Sequence, residues 1–159
     1  MLNPAPFCLI GIVNVTPDSF SDGGKYIDPC NAVAHGLRLL DEGAGMLDLG
    51  AESTRPFAEP VPEGEEIARL MPVVARLREQ RPDAVLSVDT LKAGTARAAL
   101  EGGADIINDV SACVADPALL DVLAEYKPGY VLMHSQGSPR EMQVNPRYGN
   151  VVEEILAFF

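Results

Sequence analysis

Five times along 159 residues, a short apolar run closes on a polar residue and gives way to a stretch with helical periodicity. The runs are Phe7 to Val13, Met46 to Leu49, Ala84 to Val88, Ala104 to Ile107 and Gly129 to Met133. Strands alternating with helices predict a parallel sheet, because parallel neighbours need a crossover connection and a helix supplies it. Each run is nearly all apolar, as expected where both faces of a sheet are covered. The predicted class is therefore α/β, and residues 1–159 read as a single domain. Five units are too few for a complete (β/α)8 barrel, which takes about 250 residues. The chain is thus expected to form about the first five of eight units of a TIM-type barrel, or else an open doubly wound parallel sheet.

The helix boundaries are written in local chemistry. Asp28 is placed as an N-cap with Pro29 at the first helical position. Val33, Leu37 and Leu40 follow as the buried face, and Gly43 is placed to end the helix in the left-handed conformation. A second helix starts near Pro62, with Glu63, Glu65 and Glu66 at its positive end. Its predicted stripe is Ile67, Leu70, Met71, Val74 and Leu77, and Pro82 lies beyond it. A third helix spans about Leu91 to Leu100 and stops at Gly102-Gly103. Asp116-Pro117 repeats the cap-and-proline start for a fourth, carrying Leu119, Leu120 and Leu123. Val151 to Phe159 reads as a last apolar helix. The segments Glu42 to Leu47 and Glu101 to Ile106 echo one another as helix end, glycine turn and strand start.

Composition narrows the partners. Lys plus Arg is 12 against 23 for Asp plus Glu, a net charge of -11, which argues against nucleic acid because phosphate backbones need a basic face. A small anionic substrate stays possible, since one Arg, a helix N-terminus or a metal reverses the field locally. No apolar run approaches the ~20 residues of a membrane span, and Met1-Leu2-Asn3-Pro4 has no basic region of a secretory signal. A soluble, cytoplasmic protein with no membrane partner is expected. Cys8, Cys30 and Cys113 are too scattered for a metal site and read as reduced, small apolar residues. The first strand–helix turn lacks G-x-G-x-x-G, and no GK[ST] phosphate loop occurs.

Parallel strands all end on one side, so the polar residues at those ends converge: Asn14, the Ser53-Thr54-Arg55 loop, Asp89, Asn108 and His134. Asn14 can offer oxygen to Mg²⁺ or its NH₂ to a phosphate, or can simply cap the loop backbone. Thr54 and Arg55 pair a hydroxyl with a guanidinium fork, which suits phosphate or carboxylate, though a solvated loop Arg reads the same way. Asp89 can accept two N–H bonds from a guanidine-like ring edge, or serve as N-cap of the third helix. Asn108 can both donate and accept toward the same heterocycle. Asp109 reads as structural, bonding loop amides. His134 lacks a nucleophile partner and is read as a structural residue rather than a general base; His35 is weaker still.

The stretch Asn14-Val15-Thr16-Pro17-Asp18-Ser19-Phe20-Ser21-Asp22-Gly23-Gly24 resembles the first signature of the dihydropteroate synthases, which belong to the pterin-binding enzymes. Gly50-Ala51-Glu52-Ser53-Thr54-Arg55-Pro56 resembles the second. Ser87-Val88-Asp89-Thr90, Ile107-Asn108-Asp109, Leu132-Met133-His134 and Gln136-Gly137 fit the pattern in the same order. The resemblance implies a barrel enzyme that condenses a pterin diphosphate with p-aminobenzoate. It implies that Asp89 and Asn108 bind the pterin ring, with Met133 near its wall. Asn14 would coordinate Mg²⁺ carried by the diphosphate, and Thr54 would touch that diphosphate. Asp18, Ser19, Phe20, Arg55 and Pro56 would close over the p-aminobenzoate site, where sulfonamides compete. Asn14, Arg55 and Asp89 are the expected catalytic residues. The metal and Arg55 would stabilise the leaving diphosphate and Asp89 the cationic pterin. A homodimer of the full-length enzyme is expected.

The resemblance is incomplete. Phe57 stands where the family usually has Gly, and Ser135 where Met is common. The family's later pterin-pocket Asp and Lys, and its C-terminal Arg and His, have no counterpart. The chain is therefore expected to be an N-terminal portion, with two unpaired strand edges that favour self-association and with no turnover of its own. Two rival readings are the pterin-binding domain of a corrinoid-dependent methyltransferase and a fragment that binds without catalysing. The proline-aspartate-serine stretch after Asn14 and the Ser53 to Pro56 string favour the synthase.

Overall fold

The computed structural model describes residues 7–16, 28–52, 60–137 and 145–159. Strand and helix alternate throughout: β1 (Ile10–Asn14), α1 (Pro29–Asp41), β2 (Met46–Gly50), α2 (Glu63–Gln80), β3 (Val85–Asp89), α3 (Ala93–Glu101), β4 (Ile106–Asp109), α4 (Leu119–Tyr126), β5 (Gly129–Leu132) and α5 (Val151–Phe158). The strands pair in chain order, all parallel. A doubly wound sheet reverses its order at a switch point; this one never reverses, which overturns the open doubly wound alternative. Right-handed crossovers that always advance in one direction keep every helix on one face. Accordingly α1 packs on α2, α2 on α3 and α3 on α4. These are successive units of a TIM-type barrel.

The core lies between sheet and helices. Alternate strand residues Val13, Leu47, Leu49, Leu86, Val88 and Ile107 are fully buried and meet Leu70, Val74, Leu77, Ala96, Ala99 and Leu119. Helix α1 comes close enough to do this because residue 36 has no side chain. A Cβ on Gly36 would lie 3.0 Å from Leu47 Cδ1 and 3.3 Å from Leu77 Cδ2. Asp28 caps α1 as its sequence predicts, accepting from the Cys30 amide at 2.8 Å, and Gly43 follows with φ +108°. At the amino ends of the strands, Arg78 donates to the carbonyls of Pro82, Ala84 and Gly103 and pairs with Asp105 at 2.8 Å.

Several expectations shift. The strands β1, β3 and β4 begin one to three residues later than the apolar runs and end on the polar residue itself, Asn14, Asp89 or Asp109. Ladder bonding to the neighbouring strand carries each one residue or more past its last apolar side chain. β1 is not buried on both faces: Ile10 and Ile12 are 53% and 62% exposed, because helices cover only one side of the sheet. In α4, Leu120 is exposed and Val122 takes the buried place beside Leu119. That helix starts at Leu119, after a turn in which Asp116 Oδ1 accepts from the Ala118 amide. α2 runs straight through Pro72, and Glu66 sits on its buried face where Ile67 was expected.

Replacing Leu47 with Ala should cost about 2–5 kcal/mol of stability through the lost contacts and the cavity. Gly36→Val should cost about 1–3 kcal/mol by overpacking against Leu47 and Leu77. Urea denaturation followed by far-UV circular dichroism measures both, and a Gly36→Val protein as stable as its parent would refute the close-approach account.

Candidate functional site

Strand register sets the site. Asn14 lies opposite Gly50, Gly50 opposite Asp89, Asp89 opposite Asn108 and Asn108 opposite Val131. One transverse row at the carboxyl rim thus collects the expected polar residues from three strands. The row beneath it runs Ile12, Asp48, Ser87, Ile106 and Gly129. Side chains two residues apart in a strand share a face, so both rows point away from the helices. Gly50 leaves a gap in the upper row: a Cβ there would stand 3.7 Å from Asp89 Cβ and 4.0 Å from Asn14 Oδ1.

The floor of this recess is hydrogen-bonded. Asp48 Oδ1 accepts from the Ser87 hydroxyl at 2.6 Å, and its Oδ2 accepts from Asn108 Nδ2 at 3.0 Å. The second bond reaches from β2 to β4, across β3. It fixes the amide of Asn108 with its nitrogen toward Asp48. Asp48 was not singled out from the sequence, where it looks like an interruption of the apolar run Met46 to Leu49. Its signal was the position: in a strand whose Leu47 and Leu49 face the helices, residue 48 must face the other way.

Asp89 is the remaining carboxylate of the upper row, and its side chain has no hydrogen bond to the described residues. It does not cap α3. That helix starts at Ala93, whose amide donates to Asp116 Oδ2 at 2.8 Å, while Thr90 Oγ1 takes the Lys92 amide at 3.2 Å. Burial is the chief force pushing the Asp89 carboxyl up, to about 7, and the charges of Asp48, Glu66, Asp109 and Glu52 add to it. An otherwise unpaired carboxyl that exchanges a proton near neutrality can present either an acceptor pair or a hydroxyl donor to a ring edge.

Asp109, next to Asn108 in the chain, points to the other face and is fully buried. It accepts from the amides of Ser111 (2.7 Å) and Cys113 (2.5 Å), the Ser111 hydroxyl (2.7 Å) and the Tyr130 hydroxyl (2.9 Å). The structural reading of Asp109 holds. These bonds hold Ala112 and Cys113 at φ of 53° and 61°. His134 stacks edge-on to Phe158 at 4.8 Å and lies 5.8 Å from Tyr148, so it joins α5 to the end of β5. Met133 is partly buried beside it. Asp18, Ser19, Phe20, Thr54, Arg55 and Pro56 lie outside the described residues.

A barrel-type sheet with amides and carboxylates ordered along its carboxyl rim is the arrangement at which such folds bind small ligands. The chain belongs to the pterin binding enzyme family, whose profile matches residues 10–159. It is similar to dihydropteroate synthase of Mycobacterium leprae, at 47% identity over 154 residues, 96% of this chain and 54% of that protein. It is also similar to the solved Xanthomonas albilineans dihydropteroate synthase with 4-aminobenzoic acid. There the identity is 50% and the TM-score 0.83, covering 95% of this chain and 52% of the other. The same enzyme in complex with 7,8-dihydropteroate matches with 46% identity and a TM-score of 0.77, over 95% of this chain and 51% of the other. The chain spans about half the length of the relatives it matches. No helix among the described residues is long and apolar enough to cross a membrane.

The raised carboxyl of Asp89 has a thermodynamic signature. Between pH 3.8 and about 7 the folded protein keeps a proton that the unfolded chain has released, so stability falls as pH rises through that window. Asp89→Asn should match its parent near the bottom of the window and exceed it in stability above the top. Urea midpoints at about pH 4 and about pH 8 test this; a parent-to-variant difference that does not widen with pH refutes it.

Proposed function

We propose that this chain carries the pterin-binding part of a dihydropteroate synthase, acting in folate biosynthesis. The reaction joins 6-hydroxymethyl-7,8-dihydropterin diphosphate to p-aminobenzoate, giving 7,8-dihydropteroate and diphosphate. The observation that carries this reading is the convergence of Asp89 and the Asp48-anchored Asn108 at adjacent strand ends. Together they offer a carboxyl and an oriented amide to the donor-rich edge of a pterin. The bound 4-aminobenzoic acid and 7,8-dihydropteroate of the Xanthomonas albilineans enzyme support the same substrate pair.

Asp89 would accept from the ring edge and stabilise positive charge on the pterin as the bond from its methylene carbon to the diphosphate oxygen breaks. The aniline nitrogen of p-aminobenzoate then attacks that carbon and loses a proton. Gly50, bare between Asn14 and Asp89, leaves room for a flat ring between them. Asn14 would act at the diphosphate. Its exposed carboxamide oxygen fits Mg²⁺, which is commonly bound by one or two protein groups with substrate phosphates and water completing the shell. Bound there, Mg²⁺ would neutralise charge on the leaving diphosphate. Thr54 and Arg55 are proposed to touch the diphosphate, and Asp18, Ser19, Phe20 and Pro56 to border the p-aminobenzoate site, on the strength of the signatures that contain them. A homodimer and a cytoplasmic location are proposed on the same footing.

In the full-length protein, Asp89→Ala should weaken pterin diphosphate binding about tenfold or more, because the ring donors lose their acceptor. Asn14→Ala should instead weaken only the Mg²⁺-dependent part of diphosphate affinity. Titration calorimetry with and without Mg²⁺ separates the two. Unchanged pterin affinity in Asp89→Ala would sink the assignment, and equal diphosphate binding with and without Mg²⁺ in both proteins would remove the role of Asn14.

A further inference from the structure

Glu66 is 1% exposed on the inner face of α2, a costly place for a carboxylate. Its Oε2 accepts from Lys92 Nζ at 2.7 Å and from the Thr95 hydroxyl at 3.1 Å, while Oε1 has no partner among the described residues. The same ammonium donates to Glu52 Oε2. Lys92 therefore bridges three elements: Glu52 just past the end of β2, Glu66 on α2, and its own turn between β3 and α3. Burial works against its charge, but its hydrogen bonds to Glu52 and Glu66 outweigh this and hold its pKa above the ordinary value. A second cation grips the same segment, since Arg69 Nη1 donates to the Ala51 carbonyl at 2.9 Å. Ala51 and Glu52 directly follow Gly50, whose bare Cα separates Asn14 from Asp89, and the Gly50 carbonyl accepts from the Val15 amide at 2.7 Å.

We propose that Lys92 is a positioning residue for the pterin site: by tying Glu52 to the buried Glu66, it fixes the end of β2 and with it the recess between Asn14 and Asp89. Stability alone would not require this arrangement. A buried ion pair is often no better than well-packed apolar residues, and here one carboxylate oxygen has no partner among the described residues. What the bridge supplies is a fixed placement for the end of β2. Arg69 holds the backbone of that end and Lys92 holds its side chain.

The inference rests on the pterin reading for one arm of its test and not for the other. The experiment uses the full-length protein and three variants: K92R, which keeps the charge; K92M, which breaks the bridge and strands Glu66; and K92M/E66Q, which removes both buried charges. Hydrogen exchange of the Ala51 and Glu52 amides is compared with that of core amides such as Leu86, without ligand. Calorimetry measures binding of 6-hydroxymethylpterin. K92R should stay within about threefold of the parent in both measurements. K92M/E66Q should regain thermal stability relative to K92M, because only the partly exposed Glu52 is then left without its cation. It should nevertheless exchange faster at residues 51 and 52 alone, and bind the pterin about tenfold more weakly. Should K92M fail to fold, the double variant carries the test. A double variant with parental exchange at residues 51 and 52, or with parental pterin affinity, overturns the proposal. If the parent itself does not bind the pterin, the functional reading fails, while the exchange data still decide the role of Lys92.

Discussion

Everything at the rim depends on parallel pairing in matched register. Because strand residues alternate between faces, the same four- and five-residue segments deliver leucine, valine and isoleucine to the helices and Asn14, Asp48, Asp89 and Asn108 to the opposite side. A slip of one residue in β2 or β3 would drive a carboxylate into the core and a leucine into the recess. The burial of Leu47, Leu49, Leu86 and Val88 is therefore what aligns the polar row. The adjacent pair Asn108 and Asp109 shows the division most sharply: one is fixed by Asp48 on the open face, and the other organises a loop on the covered face.

Electrostatics adds a second constraint. Asp48, Glu52, Glu66, Asp89 and Asp109 stand near one another at this rim and push the Asp89 carboxyl in one direction. Each of the others has hydrogen-bond or ion partners that hold it: Ser87 and Asn108 for Asp48, Lys92 for Glu52 and Glu66, loop amides and Tyr130 for Asp109. Asp89 alone in this group is left to the recess. The structure thus reserves one carboxyl by satisfying its neighbours.

Much of this was legible beforehand, and for identifiable reasons. The five strand–helix units, the Asp28 cap and the convergence of Asn14, Asp89 and Asn108 follow from periodicity, capping chemistry and the geometry of parallel strands. What escaped notice depends on contacts between distant residues. Glu66 sits in a run of glutamates that reads as a helix-start motif, and Lys92 and Thr95, 26 and 29 residues away, explain its burial. The continuation of α2 through Pro72, by contrast, is expected from its stripe, and the burial of Leu70, Val73, Val74 and Leu77 carries it onward. Asp48 needed the facing of β2 before its role could be seen. The choice between barrel-type and doubly wound order lay in which strand pairs with which, and no single segment encodes that.

Pairing each strand with the one before it also has a kinetic side. Every strand of the sheet can be added as soon as the intervening helix has been made, so no ladder waits for a later unit, which suits folding in the order of synthesis. The bond from Asn108 to Asp48 is the exception, spanning 60 residues and two strands. It can form only after β2, β3 and β4 are all in place. A nascent chain would therefore acquire its hydrophobic layer unit by unit, and the oriented amide of its recess would arrive only once three strands had locked together.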